Sequence, residues 1–186
     1  DVHAVHEDHS MVTHIGSRLV LALAIALTIS CDRATKHLAA TTLAGASGRS
    51  FLADTVRLEY VENAGGFLSL GADLPPAVRT GFFTIGTGVA LVAAVAGAIV
   101  FRWTGWPLVG LSLFVAGGAS NWVDRVVRGS VIDFINVGYG PLRTGIFNVA
   151  DVAIMLGVGI VVIAELRRNQ TSAPDGSKPT DHLHHD

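Results

Sequence analysis

Two aspartates stand where a carboxylate is costly to keep ionised. Asp133 lies in the apolar run Val131-Ile132-Asp133-Phe134-Ile135 with no cation within four residues, and Asp151 lies in Val149-Ala150-Asp151-Val152-Ala153. Two carboxylates brought together in a poorly hydrated site cannot both ionise easily, so one pKa rises and a proton is shared. One group then serves as base toward a water and the other as acid toward a carbonyl or leaving amine. That is the chemistry of an aspartic protease. Around this pair the chain offers further polar groups in apolar surroundings: Asp32, Lys36, Asn63, Asn121, Asp124, Arg125 and Asn148. Asp32 and Lys36, four residues apart, fit a local ion pair, and Asp124 has Arg125 and Arg128 nearby.

The elements that must position these groups are membrane helices. Half of the 186 residues are hydrophobic, only 15% are charged, and the mean hydropathy is +0.50. Residues 80–101 and 103–123 contain no charge, and each is about the 20 residues that a helix needs to cross a bilayer. The first apolar run, Leu19 to Cys31, is short, but from Arg18 to Lys36 it covers about 27 Å and both cations can snorkel to the interfaces. A rival reading of this run is a cleaved signal peptide ending at Thr28-Ile29-Ser30-Cys31. The last span runs from about Thr144 only if Asn148 and Asp151 are admitted inside it, which sets Asp151 about two turns in. The expected fold is an all-α membrane protein of four transmembrane helices, at about 16–36, 80–101, 104–123 and 145–165. Val56, Leu58 and Tyr60 alternate in a strand-like way and predict one or two short strands within residues 51–61. Residues 1–14 and 169–186 are expected as disordered tails around one domain at 15–168, with Met11 a candidate start.

Composition excludes several function classes. No basic run or basic-aromatic patch points to nucleic acid. Cys31 is the sole cysteine, which rules out an internal disulfide or a cysteine metal cage. Seven of the eight histidines lie in the tails, where solvation is the expected state; no metal or cofactor is expected. The many glycines of the spans let helices approach closely.

Four spans that alternate in direction bring the polar groups together. The end of the first (Asp32, Lys36), the end of the third (Asn121, Asp124, Arg125) and the start of the fourth (Asn148, Asp151) share one membrane face with the loops carrying Asn63 and Asp133. Ionisable residues at the edge of membrane spans mark a functional site by default.

These residues resemble bacterial lipoprotein signal peptidase, the signal peptidase II family. The matching segments are Asp32-Arg33-Ala34-Thr35-Lys36, Asn63-Ala64-Gly65, Gly117 to Arg125, Val131-Ile132-Asp133-Phe134 and Phe147-Asn148-Val149-Ala150-Asp151. The resemblance implies an enzyme of the bacterial inner membrane that removes the signal peptide from diacylglyceryl-modified prolipoproteins, just before the lipidated cysteine, at the extracytoplasmic face. It implies a catalytic dyad of Asp133 and Asp151, with Asn63, Asn121, Asp124, Arg125 and Asn148 positioning substrate, water and dyad, and Asp32 and Lys36 supporting the fold. It also implies a small extracytoplasmic β-cradle, lipid-modified prolipoproteins and membrane lipids as partners, and a monomer. Ser120, where the family usually has Gly, and Gly66-Phe67-Leu68 depart from the pattern, and both are expected to bear on the peptide groove.

Two rivals share the same residues. A serine–lysine peptidase would pair Ser69 or Ser130 with Lys36. A small channel or transporter subunit would use the polar cluster to line a pathway. The cation count leaves orientation undecided: the site face carries eight Lys and Arg against five, and five against five once Arg33, Lys36 and Arg125 are set aside.

Overall fold

The computed structural model describes residues 2–66 and 70–171. Along the chain these form α1 (Val2–Thr42), β1 (Arg49–Phe51), β2 (Val56–Asn63), α2 (Pro76–Arg79), a π-helical segment (Thr80–Gly86), α3 (Thr87–Val100), α4 (Gly105–Arg128), β3 (Val131–Tyr139), β4 (Leu142–Arg143) and α5 (Val149–Thr171). The architecture is therefore helix-rich with one small antiparallel sheet. Among the described residues, two helices are long and apolar enough to cross a membrane, 76–100 and 149–170, rather than the four expected. The other two long helices, α1 and α4, carry Asp32, Arg33 and Lys36 or Asp124 and Arg125, which lowers their apolarity. α3 turns Val89, Val92 and Ile99 outward, and α5 does the same with Met155, Leu156 and Ile163.

α4 is the central helix, packing most extensively on α5 and also on α1 and α3. Glycine permits the tight α4–α5 approach. A Cβ on Gly157 would lie 2.5 Å from the Gly110 carbonyl oxygen and 2.6 Å from the Phe114 nitrogen, both backbone atoms that cannot swing aside. On the α3 side, Trp122 of α4 donates its Nε1–H to the Thr84 carbonyl (2.8 Å), inside the π-helical segment. Such segments widen the helix and leave carbonyls in need of partners. α4 ends at Gly129, whose φ of +75° and N–H bond to the Arg125 carbonyl make a left-handed cap.

The sheet runs in the order β1-β2-β3-β4. β1 and β2 lie at the expected strand segment, whereas β3 and β4 fall in what reads from sequence as a mere connector. The burial of β3 explains this: Val131 to Phe134 are buried one after another, so no alternation of apolar and polar residues marks a strand. Ile132 and Phe134 pack on Ala39 of α1 and on Leu43 just past its end, with Leu58 and Tyr60 beside them. This contact accounts for the extension of α1 past the expected end at Lys36. The same helix also runs N-terminally through the segment expected as a tail, while residues 172–186 lie outside the described part. The β1–β2 turn has Leu52, Ala53 and Asp54 in the left-handed region, held by Asp54, which accepts from Arg57 and Ser50. The Arg57 and Ser50 bonds hold the Asp54 carboxyl well below the usual range.

Gly157→Ala should lower stability by about 1–3 kcal/mol by forcing α4 and α5 apart. Gly159→Ala, whose Cβ would meet nothing within 4 Å, should leave it unchanged within about 0.5 kcal/mol. Thermal unfolding of the two variants in detergent checks the pair.

Candidate active site

The site is assembled at the start of α5. Phe147 forms an antiparallel bridge with Ile135 of β3, with N–H to carbonyl bonds of 2.9 Å in both directions. That pairing delivers the next residue, Asn148, beside Asp133. Asn148 then caps α5: its Oδ1 accepts from the Asp151 N–H (3.0 Å), and the Asp151 carboxylate accepts from the Asn148 N–H (3.1 Å). This is a capping box, with Asp in the usual Glu position. The helix therefore begins at Val149, and Asp151 lies in its first turn. The expectation of a span from Thr144 with Asp151 two turns inside is corrected, because Asn148 satisfies the helix's first amides and stops it there.

The Asn148 side chain also reaches the other aspartate, its Nδ2 donating to Asp133 Oδ1 at 2.6 Å. One asparagine thus holds both carboxylates. Asp133 sits on β3 opposite Val61, and Asn63, two residues along β2, donates diagonally to Asp133 Oδ2 at 2.9 Å. Asn63 is itself fixed by bonds to Gly65 and Gly66. Burial pushes the Asp133 carboxyl up to about 6; the Asn63 bond favours the ionised form, and the nearby Asp151 charge opposes it. Asp151 Oδ1 takes a second bond from Asn121 Nδ2 at 2.9 Å.

Asn121, Asp124 and Arg125 follow one another at helical spacing on α4. Asn121 Oδ1 accepts from Lys36 Nζ at 2.7 Å and from Asn148 at 3.3 Å. Asp124 does not pair with Arg125 or Arg128 as the sequence invited. It takes Lys36 Nζ at 2.8 Å and Arg33 instead, because α1 lies against this face of α4. Nor is Asp32–Lys36 only a local pair. Their 2.7 Å contact is joined by Ser120, which donates to Asp32 Oδ2 at 2.6 Å, and by the Ala150 amide, which donates to Asp32 Oδ1 at 2.9 Å. Asp32 therefore fastens the first turn of α5, the turn that carries Asp151. Arg125 donates to the Gly65 carbonyl at 2.8 Å and so ties the β2 exit to α4.

All nine residues singled out from the sequence converge here. Ser120, by contrast, is not in the groove where it was expected; it is 2% exposed and bonded to Asp32. A groove of about 590 Å³ opens beside Asp151, lined by Gly66, Phe83, Asn121, Arg125, Ile154 and Met155 among others. Gly66 does face it, while Phe67, Leu68 and Ser69 lie outside the described residues. Ser130 contacts Glu62, and Lys36 is committed to Asp32, Asn121 and Asp124, so this serine–lysine pair is not formed. Two contributors escaped the sequence analysis. The Ser120 hydroxyl carries no sequence signal of its partner, whereas the Asn-x-x-Asp spacing of the capping box was there to be recognised.

Removing a shared cation strands the anions around it. Lys36→Met should lower stability by about 3–5 kcal/mol, since Asp32 and Asp124 stay buried without it. Arg33→Met should lower it by roughly 1 kcal/mol or less, because that side chain is 38% exposed. Chemical denaturation in detergent checks the difference, and equal losses would contradict the central place given to Lys36.

Comparison with known proteins places this arrangement. A family model described as signal peptidase (SPase) II matches residues 24–167. The lipoprotein signal peptidase of Thermodesulfovibrio yellowstonii is 35% identical over 150 residues, covering 78% of this chain and 94% of that protein. That of Mycobacterium leprae is 30% identical over 177 residues, covering 89% and 80%. A solved bacterial membrane enzyme structure, obtained by the in meso method at 2.3 Å resolution, is similar with a TM-score of 0.71 at 27% identity, covering 86% of this chain and 94% of the other. The apolar helices agree with a bacterial membrane protein. With the match running across most of its length, the chain belongs to the signal peptidase II family.

Proposed function

We propose that this chain is a membrane-embedded aspartic endopeptidase that removes the signal peptide from diacylglyceryl-modified prolipoproteins, cleaving before the lipidated cysteine. The observation that carries the reading is the convergence of Asp133 and Asp151 on Asn148, one from strand β3 and the other from the first turn of α5. In this reading they form the dyad: one carboxylate takes a proton from the attacking water while the protonated partner gives its proton to the substrate carbonyl oxygen. As the C–N bond breaks, the proton taken from water passes to the leaving amine and the diol returns one to the second carboxylate. Asn63, Asn121 and Asn148 aim the carboxylates, while Arg125 and the Gly66 side of the groove receive the peptide. Asp32, Lys36 and Asp124 hold the three helices under them. No metal or cofactor takes part.

The same reading makes α1, the 76–100 helix, α4 and α5 four transmembrane spans, with the sheet and dyad toward the extracytoplasmic face and the enzyme acting as a monomer. The apolar side of the groove then opens toward lipid, so the acyl chains of the substrate stay in the bilayer while the scissile bond reaches Asp151. The channel or transporter reading has no support: the polar groups gather at one end of the helices, and the family match is to peptidases.

Asp133→Asn and Asp151→Asn should each reduce cleavage of a diacylglyceryl-modified prolipoprotein by at least on the order of a hundredfold while the protein stays folded. Near-normal cleavage by either variant would remove that residue from the dyad.

The pH dependence has a defined sign. An aspartate is ordinarily ionised above about pH 4, but burial keeps the Asp133 proton until about 6. Cleavage should therefore decline as the pH rises past that value and the shared proton is lost. Asn63→Ala removes a donor that favours the ionised form, so the alkaline limb should move to higher pH. A pH series of kcat/KM checks this; a limb that moves down or stays would show that Asn63 does not act on the Asp133 proton.

A further inference from the structure

Two cavities flank the π-helical segment, and two side chains line both of them. The groove of about 590 Å³ beside Asp151 is one; the other, of about 470 Å³, is lined by Arg79, Thr80 and Thr84 among others. Phe83 and Arg125 are common to the two and so stand between them. We propose that the Phe83 ring is the wall that sets the size of the substrate side chain admitted beside Asp151. The inference rests on the proposed peptidase activity and names a residue that decides which substrates it takes.

The two halves of the wall are fastened to adjacent residues. Arg125 donates to the Gly65 carbonyl at 2.8 Å. Phe83 is seated against the next residue: a Cβ on Gly66 would lie 2.7 Å from its Cε1, and a Cβ on Gly71 would lie 3.0 Å from its Cζ. The tip of the ring therefore enters a notch between two glycines, which a larger residue at either position would obstruct. The Gly66 N–H bonds the Leu70 carbonyl at 2.8 Å, which closes the notch. The Gly66 carbonyl accepts from Asn63 Nδ2 at 2.9 Å, the same amide that holds Asp133. The wall thus abuts the frame of the aspartates. On its other side the π-helical segment is tied to α4 through the Thr84 carbonyl and Trp122. Phe82, the neighbouring aromatic, is 71% exposed and lines neither cavity.

The rest of the groove indicates which substrate residue meets the ring. Ile154, Met155 and Val158 of α5 give the groove an apolar side. The acyl chains of the lipidated cysteine follow that side toward lipid, so the residue before the scissile bond faces the side formed by Phe83 and Gly66. With the ring in place a small side chain fits there. Without the ring, the groove continues into the second cavity.

The test compares two diacylglyceryl-modified prolipoproteins that differ only in the residue before the lipidated cysteine, alanine or phenylalanine. Both are cleaved by the full chain in detergent, and the wild type should favour alanine. Phe83→Ala should raise the phenylalanine-to-alanine ratio of kcat/KM by on the order of tenfold or more. Phe82→Ala should leave that ratio unchanged. A disturbed fold lowers both substrates in proportion, so the ratio reports on the wall alone. An unchanged ratio in Phe83→Ala, or an equal rise in Phe82→Ala, would overturn the inference while leaving the peptidase activity standing. Should Phe83→Ala fail to fold, Phe83→Leu takes its place, with a smaller rise expected and no rise again decisive against the wall. Folded wild type that cleaves neither substrate would sink the peptidase activity, and this inference with it.

Discussion

The ammonium of Lys36 is shared by two carboxylates that have almost no contact with solvent, Asp32 and Asp124. Buried ions of this kind persist only when each finds partners enough to replace its water. Asp32 reaches saturation through Lys36, Ser120 and the Ala150 amide, and Asp124 through Lys36 and Arg33. Those partners come from α1, α4 and α5, so satisfying one cation fixes the mutual placement of three helices. The amide of Ala150 belongs to the first turn of α5, and the position of Asp151 follows from that contact.

On this base the two aspartates are held in a balance. Burial works against ionisation of Asp133, while the amide groups of Asn63 and Asn148 work for it. A fully hydrated carboxylate would lose its proton well below neutral pH, and one buried without donors would keep it throughout. Carboxamides are suited to this middle course, because they donate to an anion without bringing a charge of their own. Asn148 adds a geometric economy, since the residue that caps the start of α5 is also the residue that touches Asp133. The helix end and the site are therefore one structure.

The membrane explains why so much of the remaining surface is apolar and why glycine is placed where it is. Helices in lipid gain little from mutual apolar burial, and close backbone approach compensates. α4 and α5 meet through Gly110 and Gly157 along their length, then through Gly117 against the Ala150 carbonyl just below the site.

Much of the site was legible in the chain because charge is rare in an apolar sequence, so each buried ionisable group stands out. Asp133 and Asp151 stood out by their apolar flanking residues, and the expected alternation of spans grouped Asp32, Asn63, Asn121 and Asn148, whose side chains lie in one hydrogen-bonded cluster. Partner choice was not legible. Asp124 has two arginines within four residues, yet pairs with Lys36 and Arg33 of another helix, because helix packing rather than sequence distance sets which charges meet. β3 was hidden for a related reason: buried on both sides, it shows no alternation to mark it as a strand. Ser120 looked like a groove residue and became a support for Asp32, since its orientation depends on which neighbour α4 presents it to. The sequence by itself determined which groups had to be withdrawn from water; the packing of α1, β3 and α5 around α4 decided which of them touch, because hydrogen bonds are set by ångström distances that no linear spacing encodes.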